Sequence, residues 1–310
     1  MSTILRHGIL DYKIELPVGA EKDYIVKIYT NAYDENFVAA LGITGGGTLD
    51  WDFGDDTSIS ANDVDHTYSS PGNKIVTVTK GTTSGADAIS SIDIGDTSVY
   101  GTLDLSDFTS LTGILWFDKT PELTTVLLPP QGSNCGCSNF NATKAGIEGV
   151  LDMRGFSTLP ENYFYAYLCP NLTNILFNGD NSHTSSMNNF WVSNCNITGI
   201  FDVSCYTGIS GVFNIQNNTN LCEIILPDVL TQQFTSFDAD DCSLSQTSVD
   251  AIFSKMNTYF SSNSPTANLA VDVHGGTNMP PTDGASNADI VSLTSIFTGA
   301  GRTFSANINT

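Results

Sequence analysis

Positive charge is what this chain most lacks. Its 310 residues carry 11 Lys plus Arg against 33 Asp plus Glu, a formal net charge of −22. Such an excess of carboxylate repels phosphate backbones and anionic lipid surfaces alike, which argues against nucleic acid as a partner. Its plainer use is solubility for a protein displayed at high density. Long hydrophobic runs are missing too: no stretch approaches the roughly 18 apolar residues of a membrane-spanning helix, so insertion into a bilayer is not expected. The opening Met1-Ser-Thr-Ile-Leu-Arg-His-Gly-Ile-Leu-Asp11 has no uninterrupted apolar core, and no secretory signal is read there. G-x-S-x-G, a phosphate loop and a dinucleotide fingerprint are all lacking, which removes the commonest enzyme classes. The four histidines, His7, His66, His183 and His274, are scattered singly and suggest no ligand set.

The seven cysteines are an odd number and fall at Cys135, Cys137, Cys169, Cys195, Cys205, Cys222 and Cys242. Their placement inside a repeat favours small buried thiols over a disulfide framework, which belongs to short secreted domains. Cys135-Gly-Cys137 has no second pair to complete a zinc site. No metal and no cofactor is expected.

What the chain does have is a hydrophobic phrase returning every twelve residues. It reads Val99-Tyr-Gly-Thr-Leu-Asp-Leu105, Leu111-Thr-Gly-Ile-Leu-Trp-Phe117 and Leu123-Thr-Thr-Val-Leu-Leu-Pro129, and resumes at Ile147, Leu159, Leu172, Ile197, Ile209, Leu221 and Gln233. A fixed period of this kind predicts a stacked solenoid whose neighbouring coils bury one continuous core. Twelve residues accommodate one short strand and a turn, so two units complete a coil of about 24 residues. One face then runs Val99, Leu123, Ile147, Leu172, Ile197, Leu221; the other runs Leu111, Cys135, Leu159, Ser185, Ile209, Gln233. A coarser repeat of 48 to 50 residues overlies it in Gly101-Thr-Leu-Asp104, Gly149-Val-Leu-Asp152 and Gly199-Ile-Phe-Asp202.

Before the repeat, Tyr24-Ile-Val-Lys-Ile-Tyr-Thr30, Phe37 to Ile43, Leu49-Asp-Trp-Asp-Phe53 and Lys74-Ile-Val-Thr-Val-Thr79 alternate apolar and polar residues between Gly, Asn and Asp clusters, the pattern of an antiparallel sandwich. Trp51-Asp-Phe-Gly-Asp-Asp56, His66-Thr-Tyr68, Pro71-Gly72 and Ile75-Val-Thr-Val78 resemble the PKD family of immunoglobulin-like domains, across roughly residues 24 to 81. Asp56 stands where the family pattern has a second Gly, and Asp tolerates left-handed backbone better than most residues. The resemblance implies a spacer or adhesion module rather than a catalytic one. Within the repeat, Pro121-Glu-Leu-Thr-Thr-Val-Leu-Leu-Pro129, Cys169-Pro-Asn-Leu-Thr-Asn-Ile-Leu-Phe177 and Asn220-Leu-Cys-Glu-Ile-Ile-Leu-Pro227 resemble irregular leucine-rich repeats of bacterial surface proteins. That resemblance implies protein or glycan contact.

Small polar residues at 81–91 read as a linker or a first, capping coil. Near Ser243 the pattern becomes helical: Ser245 is placed as an N-cap, with Val249, Ile252, Phe253 and Met256 on one face. A strand at Asn268 to Val273, a second helical stripe at Ile290, Leu293 and Phe297, and a last strand at Thr303 to Asn307 complete a βαβ-like cap. Leu244-Ser-Gln-Thr-Ser-Val-Asp-Ala-Ile252, Gly275-Gly-Thr-Asn-Met-Pro-Pro281 and Ala300-Gly-Arg-Thr-Phe304 are similar to C-terminal segments of bacteriophage virion proteins.

The predicted fold is therefore mostly β. It comprises a lead segment (1–23), a PKD-like sandwich (24–81), a leucine-rich-repeat-like solenoid (82–242) and a small α/β C-terminal cap (243–310). Three groups of residues carry candidate chemistry. Asp104, Asp152 and Asp202 recur two coils apart, about 9 to 10 Å at one strand spacing per coil, within range of a glycosidase pair. Catalysis needs unlike environments and a repeat supplies like ones, so turn or surface roles are expected. Aromatics at Trp116, Phe140, Phe164 and Phe190, with Tyr165 and Trp191 beside them, either fill the coil or stack on sugar rings; Trp116, Phe164 and Trp191 are placed on a recognition face. Asp52, Asp55, Asp56, Asp63 and Asp65 crowd one sandwich loop, an oxygen-rich candidate for calcium. His66 is assigned a structural hydrogen bond. Together these features point to a non-enzymatic structural or binding protein of a bacteriophage virion, such as a head fibre, capsid decoration or tail appendage. Its partners would be other virion proteins and a host surface glycan or protein, with homo-oligomerisation left open. A bacterial cell-surface adhesin is the alternative, and a polysaccharide-degrading enzyme a third reading.

Overall fold

The computed structural model describes residues 26–31, 36–43, 47–79, 89–109, 111–133, 135–160, 162–179 and 186–309. The lead segment 1–23, His7, His183, Ser185 and residues 81–88 of the expected linker lie outside them. Strand makes up 42% of the described residues and helix 12%: an immunoglobulin-like sandwich, a β-solenoid of about 6 turns, and two helices near the C-terminus.

In the sandwich, period-two alternation does what it predicts. Val26–Thr30 buries Val26, Ile28 and Thr30 and turns Lys27 and Tyr29 outward. It pairs antiparallel with Lys74–Thr79, which pairs with Leu49–Asp52, which pairs with Ser58–Ala61. Trp51 fills the centre at 0% exposure against Phe37, and its Nε1–H donates to the Ala61 carbonyl at 2.9 Å. The second layer pairs Asp63–Thr67 with Asn36–Ile43, and Asn36–Ile43 with Ile89–Asp93.

Ile89–Asp93 joins the two halves of the molecule. One edge of it pairs antiparallel with the sandwich at Leu41↔Ile92; the other pairs parallel with Ile114–Trp116 at Ile92↔Leu115. The residues expected to end a linker are thus the strand that the sandwich and the first coil share. One sheet of 11 strands runs from the sandwich edge to the C-terminal strand Phe304–Ile308.

Along this sheet one inward residue per coil stays in register: Ile92, Leu115, Phe140, Phe164, Phe190, Phe213, Phe237, Val271 and Ala306. Successive phenyl rings from Phe140 to Phe237 stack at 4.6, 5.2, 5.2 and 4.8 Å, close to the strand spacing itself. The opposite wall is made of separate two-stranded pairs: Tyr100–Asp104 with Glu122–Leu127, Gly149–Asp152 with Leu172–Leu176, and Thr198–Asp202 with Asn220–Ile225. The first strand of each pair opens with a left-handed glycine at Gly101, Gly149 or Gly199, and each pairing shifts register there. This accounts for the 48 to 50 residue repeat: it counts pairs of coils.

Each turn between the walls repeats as well. Asp96, Lys119, Lys144, Leu168, Asn194, Asn217 and Asp241 all have φ between 50° and 60°. Except at Ala145, the next residue has a polar side chain that bonds a carbonyl: Thr97 Oγ1 to Ile94 at 2.7 Å, Cys169 Sγ to Ala142 at 2.9 Å, Cys195 Sγ to Ala166 at 2.9 Å, Asn218 Nδ2 to Ile215 at 2.7 Å. All seven cysteines are free thiols, and five of them are buried; Cys222 is exposed on a strand of the second wall.

At the C-terminal end, helix α1 (Gln246–Ser262) starts at Ser245, whose side chain accepts from the Ser248 N–H, and it buries Val249, Ile252, Phe253, Met256 and Phe260. Helix α2 (Ala288–Gly299) buries Ile290, Leu293 and Phe297. Of the strands after them, Leu269–Val273 pairs parallel with Ser236–Asp238, and Phe304–Ile308 pairs parallel with Leu269–Val273. The α/β cap therefore closes the solenoid by continuing it, with helices in place of the second wall. A βαβ crossover returns the chain parallel on the same side, as a solenoid coil does.

Candidate binding face

Each coil strand of the long sheet turns its register residue inward and the residues on either side of it out. One outward column reads Asp93, Trp116, Asn141, Tyr165, Trp191, Asn214, Asp238, Asp272 and Asn307. A second contains Ile114, Asn139, Tyr163, Asn189, Val212 and Ser236. The middle of this face is aromatic. Tyr163 and Tyr165 stack at 4.7 Å, Tyr165 meets Trp191 at 5.3 Å, and Tyr167 approaches Trp191 edge-on at 5.7 Å. All of these rings, and Trp116, are half-buried. Burial pushes the Tyr163 and Tyr165 phenols up, so both remain neutral hydroxyls at physiological pH. The indole Nε1–H of Trp191 is shielded from solvent and has no acceptor among the described residues.

Carboxylates flank the aromatics. At the sandwich end, burial and then the neighbouring Asp118 raise the Asp93 carboxyl. At the C-terminal end, burial and nearby aspartates raise Asp238 and Asp240. Aromatic faces edged with amides suit neutral polyols or polar protein surfaces, whereas the acidic margins disfavour anionic ligands.

Of the three residues expected on a recognition face, Trp116 and Trp191 point outward from this sheet. Phe164 does not. It is 0% exposed inside the coil, because its register partners are Phe140 and Phe190, while Trp116 aligns one position later, with Asn141 and through it Tyr165. Tyr163, Tyr165 and Tyr167 replace it, and the signal was available: in Tyr163-Phe-Tyr-Ala-Tyr167 every second residue is Tyr.

Among the described residues, the five sandwich aspartates do not converge on a calcium site. Asp63 and Asp65 are exposed on the strand Asp63–Thr67, not in the loop. Asp52 Oδ1 accepts the Gly54 N–H at 2.9 Å, Asp55 is held by Thr57 and His66, and Asp56 is the left-handed turn residue at φ 66°. His66 has the structural role expected: its Nε2 is 2.9 Å from Asp55 Oδ2, and its ring stacks on Phe53 at 4.0 Å. Burial opposes ionisation of Asp55, yet hydrogen bonds from Thr57 and His66 outweigh it and hold the carboxyl below its ordinary range.

The repeated aspartates end their strands as turn caps. Asp104 Oδ1 accepts the Ser106 N–H at 3.0 Å, Asp152 Oδ1 the Arg154 N–H at 3.1 Å, and Asp202 Oδ1 the Ser204 N–H at 2.9 Å. Asp152 is further paired to the Arg154 guanidinium at 2.6 Å. His274, solitary in the sequence, stands beside Asp240 and Asp272. The 33 residues between it and Asp240 include helix α1, so only the Asp272-Val-His274 pair is close in sequence.

Residues 42–94 match the PKD domain. The match ends just past the shared strand, so the strand Ile89–Asp93 that starts the solenoid sheet belongs to the PKD region as well. Neither the curated proteins nor the solved structures contain a significant match to the chain.

Proposed function

We propose that this protein is a non-enzymatic binding component of a bacteriophage virion, a head fibre, capsid decoration or tail appendage. In this reading the N-terminal part attaches to the particle and the solenoid presents its long sheet to a host glycan or protein. The observation that carries the binding role is the outward row of Trp116, Tyr163, Tyr165 and Trp191 on one continuous sheet, with Tyr167 just past its strand and edge-on to Trp191. Because the PKD domain and the coils share that sheet, the face is held rigidly relative to the point of attachment. Preorganised rings lose little side-chain entropy on contact.

The solenoid is read as a leucine-rich-repeat relative, supported by the apolar-x-apolar-x-x-Asn/Cys/Thr spacing that ends in the turn residue of every coil from Ile92 to Cys242 except the one ending at Ala145. The virion assignment is supported by the C-terminal segments noted above and by the strong acidity. The test has two arms. Purified particles should contain the chain by mass spectrometry and display it to gold-labelled antibody; its absence from particles removes the virion reading. Alanine at Trp116, Tyr165 and Trp191 together should cut host adsorption with an unchanged melting curve; unchanged adsorption removes the aromatic face as the recognition surface.

A further inference from the structure

Asp240, Asp272 and His274 meet at the seam between the last all-β coil and the first helix-bearing one. Asp240 lies just past strand Ser236–Asp238, and Asp272 and His274 end the adjoining strand, where Asp272 is the register partner of Asp238. One donor atom from each lies within 4.8 Å of the other two, and no other such trio of His, Cys, Asp or Glu occurs among the described residues.

Hydrogen bonding leaves this group unfinished. Asp240 Oδ1 is shielded from solvent and has no hydrogen-bond partner among the described residues, an unfavourable state for a carboxylate oxygen. His274 Nδ1 stands 3.6 Å from it, too far for a hydrogen bond. That separation is close to the roughly 3.4 Å expected between two donors bound at about 2.1 Å in a tetrahedral site. Asp272 is already oriented: its Oδ2 accepts from Asn307 Nδ2 at 3.0 Å and its Oδ1 from the His274 N–H at 3.1 Å, the outer contacts that position a ligating carboxylate. Gly275 closes over the group with φ +78°, and a Cβ there would stand 2.3 Å from Asp240 Oδ1.

We propose that Asp240, Asp272 and His274 bind a divalent transition-metal cation of the Zn²⁺ class, which clips the β-solenoid to its helix-bearing end. One imidazole with two carboxylates suits such an ion, whereas Ca²⁺ and Mg²⁺ take sites built of oxygen. The cation would turn the mutual repulsion of Asp238, Asp240, Asp241 and Asp272 into shared attraction to one centre. This inference does not depend on the aromatic face or the virion reading.

The experiment uses the full chain, stripped with chelator and titrated with Co²⁺ and then Zn²⁺, with Ca²⁺ and Mg²⁺ as controls. The proposal predicts one Co²⁺ per chain, with ligand-field absorption of nitrogen and oxygen ligation, no sulfur-to-cobalt charge transfer, and displacement by Zn²⁺, which also raises the melting temperature. His274→Ala and Asp240→Asn should each weaken binding by about tenfold or more. Asp240→Asn should also raise the melting temperature of the metal-free protein, because it removes one of four mutually repelling carboxylates, and this shows that the variant is folded. Sulfur-ligated spectra, binding unchanged in both variants, or no saturable binding at millimolar ion would each overturn the proposal.

Discussion

Replacing Phe164 with alanine should remove the central ring of the coil's aromatic stack. Phe164 is fully buried between Phe140 at 4.6 Å and Phe190 at 5.2 Å, with Phe177 edge-on at 5.5 Å. Phe→Ala in a core costs about 3–5 kcal/mol. Stacks on both faces add about 0.5–1.5 kcal/mol each beyond buried area, which moves the expectation to the upper part of that range. The cavity cannot collapse, because backbone ladders on both sides hold the neighbouring strands in place. A loss of about 4–5 kcal/mol is therefore expected. Tyr165→Ala, one residue on, faces outward and loses only its contacts with Tyr163, Tyr167 and Trp191, so about 1 kcal/mol is expected. Guanidinium unfolding of the full chain, followed by far-UV circular dichroism and tryptophan fluorescence, measures both. A solenoid is a chain of nearest-neighbour interfaces, so the Phe164→Ala loss should appear first in the transition of the coils. Equal losses, or a greater loss from Tyr165→Ala, would refute the assigned register.

Two glycines should separate conformational strain from steric clash. Gly149→Ala meets no atom within 4 Å but forces φ +72° on an alanine, a cost of about 1–2 kcal/mol, whereas Gly155→Ala places a Cβ 1.8 Å from the Pro129 carbonyl oxygen and should cost clearly more in the same unfolding assay. Asp55→Asn should destabilise the PKD domain at neutral pH. The Asp55 carboxyl is depressed in the folded state, so its contribution is present above the unfolded value of about 3.9 and disappears as pH falls through the folded one. Thermal melts across pH should show the deficit of Asp55→Asn closing on acidification; a deficit that is constant with pH would contradict the role given to the Thr57 and His66 contacts.

The architecture was legible in the sequence because its periods are short and strict. Alternation in Val26–Thr30 and Lys74–Thr79, the near-24-residue return of the coils and the stripe Val249, Ile252, Phe253, Met256 each report a buried face directly. The shared strand was hidden because Ile89-Ser-Ser-Ile-Asp93 offers only two apolar residues, and what makes it a strand is its neighbours on both sides. The outward aromatic face was half legible. Trp116 and Phe164 look equivalent by count from the repeat, but insertions between coils vary the spacing from 23 to 26 residues, and a slip of one residue reverses a side chain from wall to core. The Asp240, Asp272 and His274 group was not legible, since only the parallel return after α1 brings its members together.

A crystallographic or cryo-EM map of the full chain tests the central claim most directly, namely that one sheet joins the PKD domain to the coils and carries an aromatic outer face. The account predicts Ile89–Asp93 bonded to both Asn36–Ile43 and Ile114–Trp116, with Phe140, Phe164, Phe190, Phe213 and Phe237 stacked inside and Tyr165 and Trp191 outside. A map with Tyr165 and Trp191 in the interior, or with the PKD domain separated from the first coil by a free linker, would contradict it.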